Sequence, residues 1–139
     1  YKKRKNSMKV IPNTIEEAFE ELDKLNSSEF LTKDWDKWIA MEEDIALAFS
    51  HHAVGQWIRN EWEFWCGYGE LKKWFLANEI KHPDDMSAII LRSYHRLKNN
   101  KDLNIEEQIE KTVQYYLTDK EKLLRARKKK INEINEENN

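Results

Sequence analysis

The chain has 139 residues, with 24 Lys+Arg against 26 Asp+Glu, 40% hydrophobic and 36% charged residues, but only 3 Gly and 2 Pro. So few glycines and prolines cannot punctuate the turns of a sandwich or barrel, which excludes an all-β fold and predicts one helical domain. The single cysteine, Cys66, excludes an internal disulfide framework and points to a reducing, cytoplasmic location, and no apolar run nears the roughly 20 residues of a membrane span.

The near-neutral total hides a segregation of charge. Residues 1–10 carry five bases and no acid, and this basic segment is expected to be disordered. Residues 11–50 carry eleven acids and three bases. Such a stretch repels nucleic acid and attracts basic partners, chiefly through the association rate. Beyond residue 50 the two signs nearly balance.

Pro12-Asn13-Thr14 opens the first predicted helix, where Thr14 and Glu17 have capping-box spacing and Ile15, Ala18, Phe19, Leu22 and Leu25 form one apolar face. Asn26-Ser27-Ser28 interrupts it. A second helix carries Phe30, Leu31, Trp35, Trp38, Ile39 and Met41, and a third runs from Ile45 through Ala48, Phe49, Ala53 and Trp57 toward Asn60. Trp62 to Gly69, aromatic and Gly-punctuated, reads as a packed turn, followed by a short helix from Glu70 to Asn78. At His82-Pro83-Asp84-Asp85 a helix begins, because the proline pushes His82 toward extended geometry and two acids suit a helix N-terminus. It carries Met86, Ile89, Ile90, Tyr94 and Leu97 and stops at Asn99-Asn100. Asn104 with Glu107 repeats the capping-box spacing and starts a helix through Val113 to Leu117. Thr118 with Glu121 starts a sparsely apolar, charged tail. The expectation is a domain over 11–117 of about five or six helices with an aromatic core, plus a charged helical extension over 118–139.

The chemistry-bearing residues are few. His51, His52, His82 and His95 include no metal-binding helix spacing, Cys66 sits between aromatics as a packing residue would, and Gly67-Tyr68-Gly69 follows no strand, so no metal or cofactor is expected. The cluster Arg125, Arg127, Lys128, Lys129, Lys130 encircles a helix rather than striping it, which argues against nucleic acid as the main partner. The densest patch is Trp57 to Trp65. Arg59 and Asn60 lie there among tryptophans, and Trp57, Trp62, Trp65 and Trp74 are expected to be mostly buried around Arg59. Arg59 reads either as a structural tie to a carboxylate such as Asp84 or Asp85, or as part of a pocket with Asn60, Trp62, Trp65, His82, Asp84, Asp85 and Ser87.

Ile58-Arg59-Asn60 with Trp62 and Trp65, followed by His82-Pro83-Asp84-Asp85-Met86-Ser87, resembles a family of small bacterial proteins described only as a domain of unknown function, over roughly Ile11 to Tyr116. The resemblance implies a compact helical unit. It carries no activity. The family's pattern has an aromatic and a glycine where this chain has His52 and Glu79. For function, the acid-rich first half predicts a non-enzymatic protein-binding module, of the kind a bacterial immunity or antitoxin protein is. It would cover a basic partner, such as a cognate toxin, through Glu16, Glu20, Asp23 and Glu43. The alternatives are a small-ligand or catalytic pocket around Arg59, His82 and Asp84, and nucleic-acid binding through the basic termini.

Overall fold

The computed structural model describes residues 10–26 and 32–139, which form eight helices and no strand. The basic segment, Val10 apart, and Phe30 and Leu31 of the expected second helix lie outside the described residues. The helices are α1 (Ile15–Asn26), α2 (Thr32–Ala40), α3 (Glu43–His51), α4 (Val54–Glu61), α5 (Glu70–Ala77), α6 (Pro83–Lys98), α7 (Ile105–Tyr116) and α8 (Asp119–Glu137).

The centre is α6, against which α1, α3, α4 and α7 all pack. Its sequence explains why. Met86, Ile89, Ile90, Leu91 and Tyr94 are buried on nearly every side, and the buried Ser87 and Ser93 let neighbouring helices approach closely. Around Tyr94 the rings of Phe19, Trp35 and Trp38 gather at centroid distances of 5.6 to 6.3 Å, and Trp38 donates its indole N–H to Ala46 O at 2.8 Å. These residues, with Trp62 and Phe64, are the aromatic core. The expected set around Arg59 is corrected in part: Trp62 is buried, but Trp57 is half-buried, Trp74 is 37% exposed and Trp65 is 51% exposed. Trp74 lies on the outer side of α5, whose inner side is taken by Leu71 and Phe75.

The expected third helix is two helices. The chain breaks at Ala53 (φ −108°, ψ −97°), because the carbonyl of His51 accepts a hydrogen bond from Arg59 Nη2 at 3.0 Å. Gly55 makes the resulting corner feasible: a Cβ there would lie 3.0 Å from Arg59 Nη1 and 3.1 Å from Ser50 O. The turn after α4 is closed by Phe64 N to Arg59 O at 3.0 Å and Gly67 N to Glu63 O at 2.8 Å. It buries Trp62 and Phe64 while leaving Trp65, Cys66 and Tyr68 exposed.

Both α5 and α6 end in Schellman motifs, with Ile80 N to Phe75 O at 2.9 Å and Lys101 N to Arg96 O at 2.9 Å. The left-handed residues are Glu79 (φ 65°) and Asn100 (φ 56°). The expected N-terminal caps divide three ways. Thr118 and Glu121 form the full reciprocal box of α8. Thr14 Oγ1 accepts from Glu17 N at 3.1 Å, but the Glu17 carboxylate returns to the hydroxyl at 3.4 Å, so half a box forms. Asn104 is left-handed (φ 49°, ψ 49°) and caps nothing, and Glu107 pairs with Lys111 instead.

Candidate functional site

The His82-Pro83 entry sets the first wall of the site. His82 is extended (φ −93°, ψ 130°), and its Nδ1 accepts from Asp84 N at 3.0 Å, so the imidazole serves as the cap of α6. Beneath it Arg59, 4% exposed, reaches across from α4 with every arm engaged. Nε lies 3.2 Å from Asp84 Oδ1, Nη1 donates to Ser87 Oγ at 2.9 Å, and Nη2 holds His51 O. Ser87 Oγ in turn donates a hydrogen bond to Asp84 O at 3.0 Å. This is the geometry of a tie between α3, α4 and α6. Trp65 meets His82 edge-on at 5.7 Å, whereas Asn60 is exposed on the far side of α4 and Trp62 belongs to the core. The structure therefore brings Arg59, Trp65, His82, Asp84 and Ser87 together and leaves Asn60 and Trp62 elsewhere.

From His82 an open groove of about 760 Å³ runs between α6 and α7 to the start of α3. Its near end holds Asp84 and Asp85. Tyr116 Oη donates to Asp85 Oδ2 at 2.7 Å, and that bond to a carboxylate pushes the phenol up to about 12. Its far end is an ion cluster that sequence spacing could not foretell. Glu43 receives Arg96 through Nε at 2.7 Å and Nη2 at 3.1 Å, and it also receives Arg92. The Arg96 hydrogen bonds first, then Arg92, outweigh the cost of burial and hold the Glu43 carboxyl down at about 2. Arg92 also reaches Asp44 at 2.9 Å, and Arg96 Nη1 donates to Leu103 O at 2.7 Å. On the α7 side Lys111 is paired with Glu107 at 2.9 Å, and the rings of Tyr115 (81% exposed) and Tyr116 stand at the rim.

The four acids expected to form one partner surface are not brought together. Glu43 lies in the groove and is engaged by two arginines, while Glu16, Glu20 and Asp23 are on α1. Asp23 is bound by Lys98 at 2.6 Å and by Tyr94 Oη at 2.7 Å. Burial raises its carboxyl, but those two partners prevail and it lies below the ordinary carboxylate range. Lys98 and Tyr94 leave α6 roughly 120–160° around the helix from Arg92 and Arg96, so α6 stands between the two acidic groups. Glu16 and Glu20 are exposed. Among the described residues no group of three or more His, Cys, Asp or Glu side chains is arranged to hold a metal ion, and no helix is long and apolar enough to cross a membrane. Sequence reasoning missed Arg92, Arg96, Lys111 and Tyr115. The one available signal was Tyr115-Tyr116, since adjacent residues on a helix cannot both face the core.

No curated protein and no solved structure matches the chain. A family model does match, over residues 11–98, from the entry to α1 to the last residue of α6, so that His82, Asp84, Asp85, Arg92 and Arg96 fall inside the match and the α7 wall of the groove falls outside it. The chain belongs to the family described as a domain of unknown function, DUF6794.

Proposed function

We propose that the protein is a non-enzymatic binding module that captures a basic segment of a protein partner along the α3–α6–α7 groove, in the manner of an immunity or antitoxin protein. The observation that carries this reading is the way the groove's charges are spent. Arg92 and Arg96 are spent on Glu43, and Arg59 on Asp84, whereas what stands at the rim is two exposed tyrosines beside Asp85. Paired charges that already satisfy each other make a rigid floor and a poor reactive centre. Exposed tyrosines are typical of recognition surfaces, and with carboxylates beside them they suit Lys or Arg side chains through cation–π and ionic contacts. Carboxylates also outnumber cations along the groove, Arg59 included, and the acids of α1 add long-range attraction for a basic molecule.

The test is capture of the purified product of the adjacent gene by the immobilised full chain, over a salt series. Tyr115→Ala with Asp85→Asn is expected to weaken capture at least tenfold with the melting temperature little changed. Glu16→Lys with Glu20→Lys is expected to slow association and steepen no other step. Capture indifferent to the groove variants, or a turnover that disappears in a folded His82→Ala protein, contradicts the reading.

A further inference from the structure

Two apolar surfaces of this chain face solvent and do not meet each other within one molecule. The first belongs to α8, none of whose residues is buried. Leu123, Leu124, Ile131 and Ile134 fall within roughly 100° of its circumference, and each is about half exposed. The helix is held to its own domain by the opposite side. Arg125, roughly 150° around from the centre of that stripe, grips Glu79 through Nη2 at 2.8 Å and Nη1 at 3.2 Å and reaches Glu110 at 3.9 Å. The clamp therefore turns the apolar stripe outward. Lys120, Arg127, Lys128 and Lys130 lie within the stripe or along its edges.

The second surface is a groove of about 370 Å³ on α2, α3 and the start of α4, lined by Trp35, Trp38, Met41, Phe49, Ala53 and Val54. Phe49 is 70% exposed, and Ile45, one turn earlier on α3, is exposed as well. Trp35 is buried, yet among the described residues its indole N–H has no hydrogen-bond partner. The exposed carboxylates flanking the groove are Asp36 and Glu42, with Lys37 the one base among the lining residues. An amphipathic helix that carries bases in and along its apolar stripe and an apolar groove flanked by Asp36 and Glu42 are complementary in both shape class and charge.

We infer that α8 of one molecule docks in the α2–α3 groove of a second copy, and that the exchange is reciprocal. Reciprocity across a two-fold axis buries both stripes and both grooves and closes the assembly as a dimer, which leaves no open end for a filament. Parallel pairing of two α8 helices is opposed by their own charge, because the basic run 125–130 of each would lie beside that of the other. This surface is separate from the α6–α7 groove, so the dimer goes beyond the binding function proposed above.

Sedimentation equilibrium of the full chain from low micromolar to several hundred micromolar tests the inference. The average mass is expected to rise from the 16.8 kDa monomer toward twice that value, with higher salt shifting the midpoint to higher concentration. Phe49→Asp in the groove and Ile131→Asp on the helix each should hold the chain monomeric. Both positions are exposed, so circular dichroism should stay unchanged; Ile45→Lys serves as a second groove variant if Phe49→Asp loses helix content. The deciding sample is the equimolar mixture of the Phe49→Asp and Ile131→Asp chains. One retains a sound helix and the other a sound groove, so a 1:1 complex should reappear. A wild-type chain that stays monomeric throughout, groove variants that dimerise normally, or a mixture that remains monomeric while only Ile131→Asp abolishes the dimer, as direct α8–α8 pairing requires, each overturns it.

Discussion

At the scale of single residues, the decisive feature is a buried cation whose partners are unequal. Arg59 is almost wholly enclosed, while the Asp84 side chain is 43% exposed. Removing the guanidinium would let Asp84 rehydrate, so the cost falls on Ser87 Oγ, on the His51 carbonyl and on the hole left beside Gly55. Arg59→Met should therefore lower the unfolding free energy by about 2 to 4 kcal/mol, less than for a fully buried pair, as read from urea denaturation. An unchanged midpoint would mean that the tie contributes nothing. Glu43 makes a second prediction, with a sign that follows from its titration. Its carboxyl is held at about 2 in the folded chain against an ordinary 4.5. Its contribution is thus fully present above about pH 4.5 and is lost as the pH falls toward 2. Over that interval it amounts to about 3 kcal/mol. Glu43→Gln should flatten the acid limb of the stability profile, and a profile that keeps its slope would show that other carboxylates cause it.

At the scale of elements, α8 contributes no buried side chain to the domain, and its hold on it is the exposed Arg125–Glu79 pair. A chain ending at Leu117 should melt within a few degrees of the full one at low concentration, since surface pairs of this kind are worth about 0 to 1 kcal/mol. In that shortened chain Glu79→Gly should gain up to about 1 kcal/mol by relieving the left-handed backbone, and loss of stability there would contradict the Schellman reading. The same residue shows how far sequence could be read. The resemblance places a glycine at position 79, and the structure supplies the reason in its positive φ, while the glutamate found there is occupied by Arg125, a contact that no local spacing announces. The amphipathic spacing of α1 and the Pro83 entry of α6 were legible because local chemistry sets them. The break between α3 and α4 was not, since the apolar period runs from Ile45 to Trp57 without Gly or Pro at 52–53 and the interruption comes from Arg59 seizing the His51 carbonyl. Likewise the pairing of Arg59 with the Asp84 region was readable as a lone cation among indoles in search of a carboxylate. The Glu43–Arg92–Arg96 cluster joins residues 49 and 53 positions apart, with nothing local to announce it.

At the scale of the whole molecule, α6 divides the acidic first half into two faces. One is the outer side of α1, with Glu16 and Glu20. The other is the groove floor, where Glu43 is neutralised by Arg92 and Arg96; there Asp85, from α6 itself, remains near the exposed tyrosines while Asp84 is held by Arg59. Net charge counted along the chain therefore overstates any single acidic surface, and recognition is proposed to depend on the groove's shape and rim, with α1 acting on the encounter rate. The groove as the recognition surface is tested most directly by amide hydrogen exchange of the full chain with and without its bound basic partner. Added protection should appear in residues 82–92 and 105–116, with α1 exchanging as in the free chain. Protection confined to α1, with 82–92 and 105–116 unaffected, would contradict it.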